Sequence, residues 1–480
     1  MFRPVRVYVK EIKLNSEHTT MNNPVHCENP ALLRADDMRK LYYDKGENQM
    51  KEFDRIIGYS AEKKELEQIA DCLKNREVYE SLGVKAPSGL LLHGEPGVGK
   101  TLMSNCLIEA SGLKAFVCRK NKPNGEFVNE ITKTFETAEK NAPCIVFLDD
   151  MDKFTNGDEH HRDAEEYVTV QSCIDSVKNK GVFVLATANS LHCLPRSLLR
   201  AGRFDRRLVI NAPKGKDAIE IISHYLDGKT LAENIDRSYI ARLMDGESCA
   251  KLETLINEAG IYAGYDRAEK ISMSHFMRAY LRDTYGRDCD DGCDDFDDDY
   301  CDLTDKLTDT VWHEAGHTVV SEVLYPGSVT LVSVSGSEGS GKGGFTSYCN
   351  INALSPLEYS KVRVISSLAG AAVIEQKFGT PCSGASRDYE QAFRAVNEMI
   401  SSDCVCGLHL HASMFDNSER LNSTIEQTVA AEVQRYYLKA KEIIAKNSEF
   451  LEKTALALAQ KKLLTTPEIE VIRKKCKIIL

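Results

Sequence analysis

An apolar strand that runs directly into a glycine-rich loop restricts the fold of this chain more than any other segment. The strand candidate is Gly89–His93, and the loop after it reads Gly94-Glu95-Pro96-Gly97-Val98-Gly99-Lys100-Thr101. Backbone N–H groups of such a loop and the N-terminus of the next helix converge on one anion. The pattern predicts a nucleotide site in which Lys100 reaches the β- and γ-phosphates, Thr101 binds Mg²⁺ and Leu102 ends the binding segment.

Two further apolar segments predict strands of one parallel sheet. Cys144–Leu148 ends in Asp149 and Asp150, and residues 182–187 are followed closely by Asn189. The residues that follow parallel strands meet at one edge of the sheet. We expect Asp149 to complete the Mg²⁺ shell and Asp150 to polarise the attacking water. Asn189 is then placed to orient that water or the γ-phosphate.

A dense basic segment follows these strands. Residues 200–207 read Arg-Ala-Gly-Arg-Phe-Asp-Arg-Arg, in a chain whose formal net charge is −11. Such a run is either a solvated surface or, beside a nucleotide site, a source of arginines for the γ-phosphate of a neighbouring subunit. The second interpretation requires a ring of subunits.

A second chemical motif lies far downstream, where residues 313–317 read His-Glu-Ala-Gly-His. His313 and His317 are four residues apart, so a helix places both imidazoles on one face, where they can share a Zn²⁺. Glu314 is then a candidate general base for the attacking water.

This zinc motif needs a third protein ligand. Our first candidate is Asp388, which lies in the first turn of a helix predicted to start after residues 382–386. A helix N-terminus favours an ionised carboxylate there. Glu375, on the preceding predicted helix, is the alternative ligand.

Length and composition predict several domains, because 480 residues exceed a single core. Residues 288–305 contain ten aspartates, which favours a solvated linker over a cation site. Residues 329–334 predict either an edge strand that pairs with extended substrate or an ordinary hairpin. The predicted divisions are an N-terminal extension of unknown role (1–52), an α/β nucleotide-binding domain (53–213), a small helical lid (214–286), an acidic linker (287–306) and a mainly helical zinc domain (307–480).

Charge, cysteine usage and hydropathy restrict the partners and the compartment. The net negative charge argues against a nucleic-acid partner. Sixteen cysteines without regular spacing, and no signal peptide, favour reduced thiols in the cytoplasm. No apolar run reaches the roughly 18 residues that a membrane span needs. We expect a soluble cytoplasmic protein, with recruitment to a membrane by a partner left open.

The nucleotide-site segments, taken in order, resemble the AAA+ ATPase module with its Walker A, Walker B, sensor 1 and second region of homology. The resemblance implies that Asp149 is the Walker B magnesium residue and that Asp150 stands in the place of the catalytic carboxylate. It implies sensor 1 at Asn189 and arginine fingers at Arg203 and Arg206. Members of this family work as hexamers.

Two shorter segments extend this resemblance to the base of the nucleotide. Residues 56–59, Ile-Ile-Gly-Tyr, match the segment that flanks adenine, and residues 246–250, Gly-Glu-Ser-Cys-Ala, match the contact made by the lid. The nucleotide-binding residues implied here are Ile57, Gly58, Cys249 and Ala250.

The zinc motif after an AAA+ module is similar to the FtsH family of ATP-dependent zinc proteases, as are Leu-Ala-Gly at 368–370 and Ser-Gly-Ala-Ser-Arg-Asp at 383–388. The similarity runs from about residue 53 to residue 472, and in this family the Asp388 position supplies the third zinc ligand. It implies a hexameric endopeptidase that unfolds and hydrolyses protein substrates using Zn²⁺, ATP and Mg²⁺. The alternative is a nucleotide-gated chaperone or disassembly ATPase with a structural or weakly active zinc site.

The sequence departs from this family at four places. Family members typically begin with membrane-spanning helices, for which we expect no counterpart in this chain. The family's Walker B pair Asp-Glu is replaced here by Asp149-Asp150. The shorter side chain retracts the carboxylate by about 1.5 Å, which predicts slow ATP turnover. The nearest equivalent of the family's substrate-gripping pore loop is Phe127-Val128. Ala371 replaces the family arginine after residues 368–370.

Overall fold

The computed structural model describes residues 51–121, 124–155, 164–200, 202–286, 307–334, 344–349, 355–381, 383–402, 405–406 and 419–480. The predicted acidic linker, 287–306, lies outside the described residues, as does the N-terminal extension apart from residues 51 and 52. None of the described helices is long and apolar enough to cross a bilayer.

A five-stranded parallel sheet forms the centre of the nucleotide-binding part. The strands are β1 (Gly89–His93), β2 (Lys114–Cys118), β3 (Cys144–Leu148), β4 (Val182–Ala188) and β5 (Arg206–Val209), in the order β2-β3-β4-β1-β5. The helices around it are α1 (Ser60–Lys74), α2 (Arg76–Ser81), α3 (Lys100–Ser111), α4 (Asn124–Lys140) and α5 (Glu165–Ser176). The carboxyl ends of β1, β3 and β4 lie side by side, so the loops that carry the predicted nucleotide residues emerge together.

Four helices follow this sheet and form the lid. They are α6 (Gly215–Leu226), α7 (Arg237–Leu243), α8 (Cys249–Tyr265) and α9 (Met273–Tyr285). Side-chain caps start two of them: Asp236 accepts from the Tyr239 N–H, and Ser248 from the Lys251 N–H. These caps satisfy backbone donors that a helix start leaves without partners, so α7 and α8 begin at defined residues.

The C-terminal part is mainly helical with one small sheet. Its helices are α10 (Asp309–Leu324), α11 (Pro356–Ser367), α12 (Ala369–Phe378), α13 (Ser386–Ser401), α14 (Glu419–Lys446), α15 (Ser448–Lys461) and α16 (Thr466–Lys474). Helix α10 is buried on nearly every side. A Cβ on Gly316 would lie 2.9 Å from the Ala369 carbonyl oxygen, so this glycine lets α12 pack directly on α10. The predicted fold class, a parallel α/β part with a helical lid and then a mainly helical part, is confirmed.

Of the two interpretations of residues 329–334, the edge strand is wrong. The small antiparallel sheet contains β6 (Val329–Ser333), β7 (Phe345–Tyr348) and β8 (Leu463–Thr465), in the order β7-β6-β8. Strand β6 is therefore central, because β8 pairs with the side of β6 that would be free in an edge strand. The β6–β7 pairing agrees with the alternative interpretation of a hairpin.

Candidate functional site

The glycine-rich loop curves tightly around the start of α3. A Cβ on Gly94 would lie 1.9 Å from the Ile210 carbonyl oxygen, and one on Gly97 would lie 2.8 Å from the Ala250 Cβ. Both glycines also have positive φ, 155° and 81°, which side chains disfavour. Val98 is buried, whereas Glu95, Pro96, Thr101 and Leu102 are exposed. The loop thus packs between the end of β5 and the lid, and it leads into the N-terminus of α3, the end of a helix that favours anions.

Lys100 lies at the centre of this cradle. Its Nζ donates to the carbonyl oxygens of Gly94 and Glu95 at 2.7 and 2.8 Å and to Asn189 Oδ1 at 2.8 Å. Burial lowers the pKa of Lys100, and nearby carboxylates partly offset this effect. The structure therefore joins the predicted P-loop lysine to the residue predicted as sensor 1.

Sequence reasoning missed Asp152, which holds Asn189 in place. Its carboxylate accepts the Asn189 backbone N–H at 2.9 Å and the side-chain amide at 2.7 Å. Asp152 lies in a short 3-10 helix, Met151–Lys153, directly after β3 and its two aspartates. A third carboxylate so soon after the Walker B strand is the sequence signal that could have identified it.

Asp149 is placed to help bind Mg²⁺. Its side chain is 1% exposed and accepts from the hydroxyls of Thr187 and Thr101 at 2.8 and 3.4 Å. Its second oxygen pairs with Arg119. Hydroxyl and carboxylate oxygens are ligands that Mg²⁺ prefers, so the Thr101–Asp149 pair fits this ion.

Asp150 lies beside Asp149 in a different environment. Its backbone is left-handed, with φ 57°, and its side chain is 26% exposed. One carboxylate oxygen accepts from Lys153 Nζ at 2.8 Å, and its backbone N–H donates to the Thr187 hydroxyl at 2.8 Å. The assignment of Asp150 as the hydrolytic carboxylate stays a prediction.

The predicted lid residues contact the glycine-rich loop, and the segment predicted to flank adenine contacts the lid. The Ala250 N–H donates to the Gly97 carbonyl at 3.1 Å. The Tyr59 side chain, which follows Ile57 and Gly58 in the chain, lies with its hydroxyl 3.4 Å from Cys249 Sγ. That hydroxyl also donates to the Asn211 carbonyl at 3.0 Å. Tyr59 thus links the adenine-side segment to the lid.

The two predicted arginine fingers have different environments. Arg203 donates to both oxygens of Asp175 at 3.0 and 2.7 Å and to Gln171 at 3.2 Å. The Arg206 side chain is 60% exposed and lies 3.8 Å from Glu65. Within this chain Arg203 therefore fastens α5. The finger role of both arginines stays a prediction.

Phe127 does not have the environment of a pore-loop aromatic. It is fully buried in α4 and packs edge-on against Phe154, with ring centroids 4.8 Å apart. A core side chain is not available to grip a translocating polypeptide. The comparison of Phe127-Val128 with the family pore loop is therefore wrong.

The structure brings His313, His317 and Asp388 together. The two Nε2 atoms are 3.0 Å apart, and Asp388 Oδ2 lies 3.0 Å from that of His313 and 3.4 Å from that of His317. All three ligand atoms lie within 4.8 Å of one another. His317 Nδ1 lies 2.7 Å from the Ser366 carbonyl oxygen, which directs Nε2 toward the cluster. Two imidazoles and one carboxylate fit Zn²⁺ with a position left for water.

Glu375, the alternative ligand, is not part of this cluster. Its carboxylate accepts from the Tyr437 hydroxyl and lies 3.2 Å from Lys441 Nζ. A different residue of α12 supports the cluster, because a Cβ on Gly370 would lie 2.5 Å from His313 Cε1. Gly370 therefore leaves the space that the His313 ring occupies.

Glu314 is buried, with 5% of its surface exposed, and its Oε2 accepts from the Thr346 hydroxyl at 2.7 Å. Burial raises the pKa of Glu314, and the two histidines oppose that shift. A buried carboxylate with a raised pKa is a stronger base than an exposed one.

The cluster holds opposite charges in its metal-free form. Burial alone would lower the pKa of His317, but Asp388 and Glu314 outweigh it and raise the pKa to about 9. Burial likewise opposes ionisation of Asp388, but the two histidines hold its pKa well below the ordinary value. Binding of Zn²⁺ to the neutral imidazole would therefore displace a proton from His317.

Comparison with known proteins assigns a family to each of the two parts of the chain that carry these sites. Residues 90–212 match the model of the ATPase family associated with various cellular activities (AAA), and residues 303–472 match that of peptidase family M41. An ATP-dependent zinc metalloprotease FtsH of Caldicellulosiruptor bescii is 30% identical over 450 residues, which cover 87% of this chain and 71% of the relative. One of Thermus thermophilus is 28% identical over 460 residues, covering 87% and 70%. The chain therefore belongs to the FtsH family, and it is an ATP-dependent zinc metalloprotease that uses Zn²⁺, ATP and Mg²⁺.

Proposed function

We propose that this protein unfolds protein substrates with a hexameric ring of its AAA+ domains and hydrolyses them at the site of His313, Glu314, His317 and Asp388. The observation that supports cleavage most strongly is the buried Glu314 beside the two histidines. A purely structural zinc site does not need such a carboxylate. The proposed divisions are the α/β domain at 53–213, the lid at 214–286 and the zinc domain at 307–480.

The protease residues would have two roles, metal binding and proton transfer. His313, His317 and Asp388 would hold Zn²⁺, which polarises the scissile carbonyl and lowers the pKa of the attacking water. Glu314 accepts a proton from that water and returns it to the leaving amine. The Glu314 carboxylate accepts a hydrogen bond from the Thr346 hydroxyl at 2.7 Å.

On the nucleotide side, Lys100 would contact the β- and γ-phosphates while Thr101 and Asp149 bind Mg²⁺. Asn189 would orient the γ-phosphate or the attacking water, and Asp150 would polarise that water. The predicted fingers would act on the nucleotide of the adjacent subunit. A reducing compartment fits the cysteines in the described part of the chain, which are all free.

Degradation of an unfolded protein substrate with Zn²⁺ and ATP tests the protease assignment. We expect wild type to release peptides and Glu314→Gln to lose at least about a hundredfold in rate, while zinc content and ATP turnover remain. Glu390→Gln, at an exposed position on α13, is the matched control and should cleave like wild type. Proteolysis that survives Glu314→Gln unchanged would reject the site.

Asp150 supports the alternative of a chaperone with weak coupling to ATP, because it replaces the longer family glutamate. Asp150→Glu is therefore expected to raise the kcat of ATP hydrolysis, and Asp150→Ala to abolish it, in a steady-state phosphate-release assay. Unfolding of a substrate by wild type without any peptide products would favour the chaperone.

A further inference from the structure

The lid contacts a short strand of the protease part through two aromatic side chains. Tyr285, the last residue of α9, stacks on Phe345 with ring centroids 3.7 Å apart and an angle of 21° between the planes. The Tyr280 hydroxyl lies 3.3 Å from Ser347 Oγ. Both contacted residues belong to β7, which spans only Phe345–Tyr348 and is half-buried. A strand this short depends on its neighbours for its position.

The residue between these two contacts reaches Glu314. Side chains alternate between the faces of a strand, and Thr346 donates its hydroxyl to Glu314 Oε2 at 2.7 Å. The start of the strand also lies against this carboxylate, because a Cβ on Gly344 would be 2.5 Å from Glu314 Cγ. Any shift of β7 therefore moves the partner of Glu314.

The lid also holds β6, the neighbour of β7. The Tyr239 hydroxyl donates to the Thr330 carbonyl at 2.9 Å in a buried contact, and Arg242 donates to the Gly327 carbonyl. His313 and His317 lie on α10, which packs against α11, α12 and α15 and also against β6 and β7. The lid thus contacts the sheet beside Glu314, whereas the helices that pack most closely against α10 belong to the protease part.

The same lid contacts the nucleotide loop at its other end. The Ala250 N–H at the start of α8 donates to Gly97. Helix α8 is joined to α9 by Tyr262, which lies under the guanidinium of Arg278 at 4.3 Å and accepts from Arg282 at 3.0 Å. Packed contacts therefore run from the glycine-rich loop through α8 and α9 to β7.

We propose that Thr346 is a positioning residue for Glu314 and that the lid sets its position through the Tyr285–Phe345 stack. Lid movement during ATP turnover then changes the rate of peptide-bond hydrolysis without changing the zinc ligands. The proposal rests on the proposed protease function, and it deepens it by naming how the nucleotide domain regulates the base.

The first test uses full-length protein, Zn²⁺, ATP and a fluorogenic unstructured peptide, which requires no unfolding. Thr346→Val keeps the side-chain shape but removes the hydroxyl, and we expect kcat to fall about tenfold or more while KM and zinc content stay unchanged. Thr346→Ser keeps the hydroxyl and should retain wild-type kcat within about threefold. An equal loss of kcat in Thr346→Val and Thr346→Ser, or an unchanged kcat in Thr346→Val, would overturn the positioning role.

The second test addresses the lid. Tyr285→Ala should lower peptide kcat about fivefold or more with ATP turnover intact, whereas Tyr285→Phe keeps the stacked ring and the activity. Tyr265→Ala, at a lid position that is 79% exposed, is the matched control and should cleave like wild type. If Tyr285 and Thr346 act through one contact, adding Tyr285→Ala to Thr346→Val should lower kcat little further. Fully additive losses of kcat in the double variant would reject the link between these two residues.

The outcomes also separate this inference from the proposed function. If wild type and Glu314→Gln are equally inactive on the peptide, the protease assignment fails. If wild type cleaves, Glu314→Gln does not, and both Thr346→Val and Tyr285→Ala match wild type, only the lid inference fails.

Discussion

Asp152 accepts two hydrogen bonds from Asn189, one from its backbone N–H at 2.9 Å and one from its side-chain amide at 2.7 Å. Because the amide nitrogen is held by this carboxylate, the Asn189 oxygen faces Lys100 Nζ at 2.8 Å. The orientation of the predicted sensor residue is thus set by Asp152, whose charge also acts on Lys100.

Asp152→Ala should lower the kcat of ATP hydrolysis about tenfold, because the freed Asn189 amide can rotate away from the γ-phosphate. Loss of buried charge-assisted hydrogen bonds typically costs about 1–3 kcal/mol, enough for that change. Steady-state ATPase assays measure kcat, and fluorescent-ADP titration should show near-normal binding. Asp227→Ala, at an exposed lid position, is the control, and an unchanged kcat in Asp152→Ala would contradict the role.

Arg206→Ala should remove ATP turnover from the proposed ring. It should leave the melting temperature unchanged, because the Arg206 side chain is exposed. A finger acts in trans, so mixing Arg206→Ala with Lys100→Ala subunits should restore part of the ATPase activity. Mixed samples that never exceed the sum of the two variants would contradict action in trans.

Arg203→Ala should behave differently in a thermal melt. Its bonds to Asp175 and Gln171 fasten α5 within the same chain, so its removal should lower the melting temperature by about 2–4 °C. Arg206→Ala is the matched control. If the melting temperature of Arg203→Ala equals that of wild type, these hydrogen bonds contribute little to stability.

Gly370→Ala should release zinc, because its new methyl group would meet the His313 ring, whose Cε1 lies only 2.5 Å from that Cβ position. Displacing a ligand's support typically costs about 10–100-fold in metal affinity. Zinc content by mass spectrometry and peptide cleavage should fall together, while ATP turnover remains. Gly264→Ala on α8, where a Cβ meets nothing within 4 Å, should keep its zinc, and normal zinc content in Gly370→Ala would refute the argument.

Zinc affinity should rise with pH up to about 9. The pKa of metal-free His317 is raised from 6.5 to about 9, so its protonated form stabilises the metal-free fold fully below the unfolded pKa. That contribution is lost as pH rises through about 9. Zinc needs the neutral imidazole, so its apparent Kd should fall about tenfold per pH unit between about 6.5 and 9.

A chelator-competition titration across this pH range measures that dependence. Asp388→Asn is the informative variant, because it removes the carboxylate that raises the His317 pKa, and its curve should level off at a lower pH. A wild-type Kd that becomes constant near pH 7 would show that His317 is not perturbed as described.

Local spacing allowed much of the candidate site to be predicted. The glycine-rich loop places Lys100 and Thr101 by its own geometry, and helical periodicity puts His313 and His317 on one face. Asp388 could be proposed because a helix N-terminus favours a carboxylate. These inferences each depend on a few neighbouring residues.

Two errors arose where the answer depended on distant residues. Phe127 followed by an aliphatic residue looks the same in sequence whether it faces a pore or the core, and only packing against Phe154 decides. The central position of β6 depends on β8, which lies far along the chain. The pairing of strands so far apart in the chain cannot be recognised from the residues of either strand.

The sequence by itself determined the two chemistries, a phosphate cradle and a pair of histidines, because both motifs are short and geometrically self-contained. Tertiary structure alone decided which residues support them: Asp152 for Asn189, Gly370 for His313 and Thr346 for Glu314. It also brought Tyr285 against Phe345. Such contacts arise from the packing of segments far apart in the chain, and packing is a property of the whole fold.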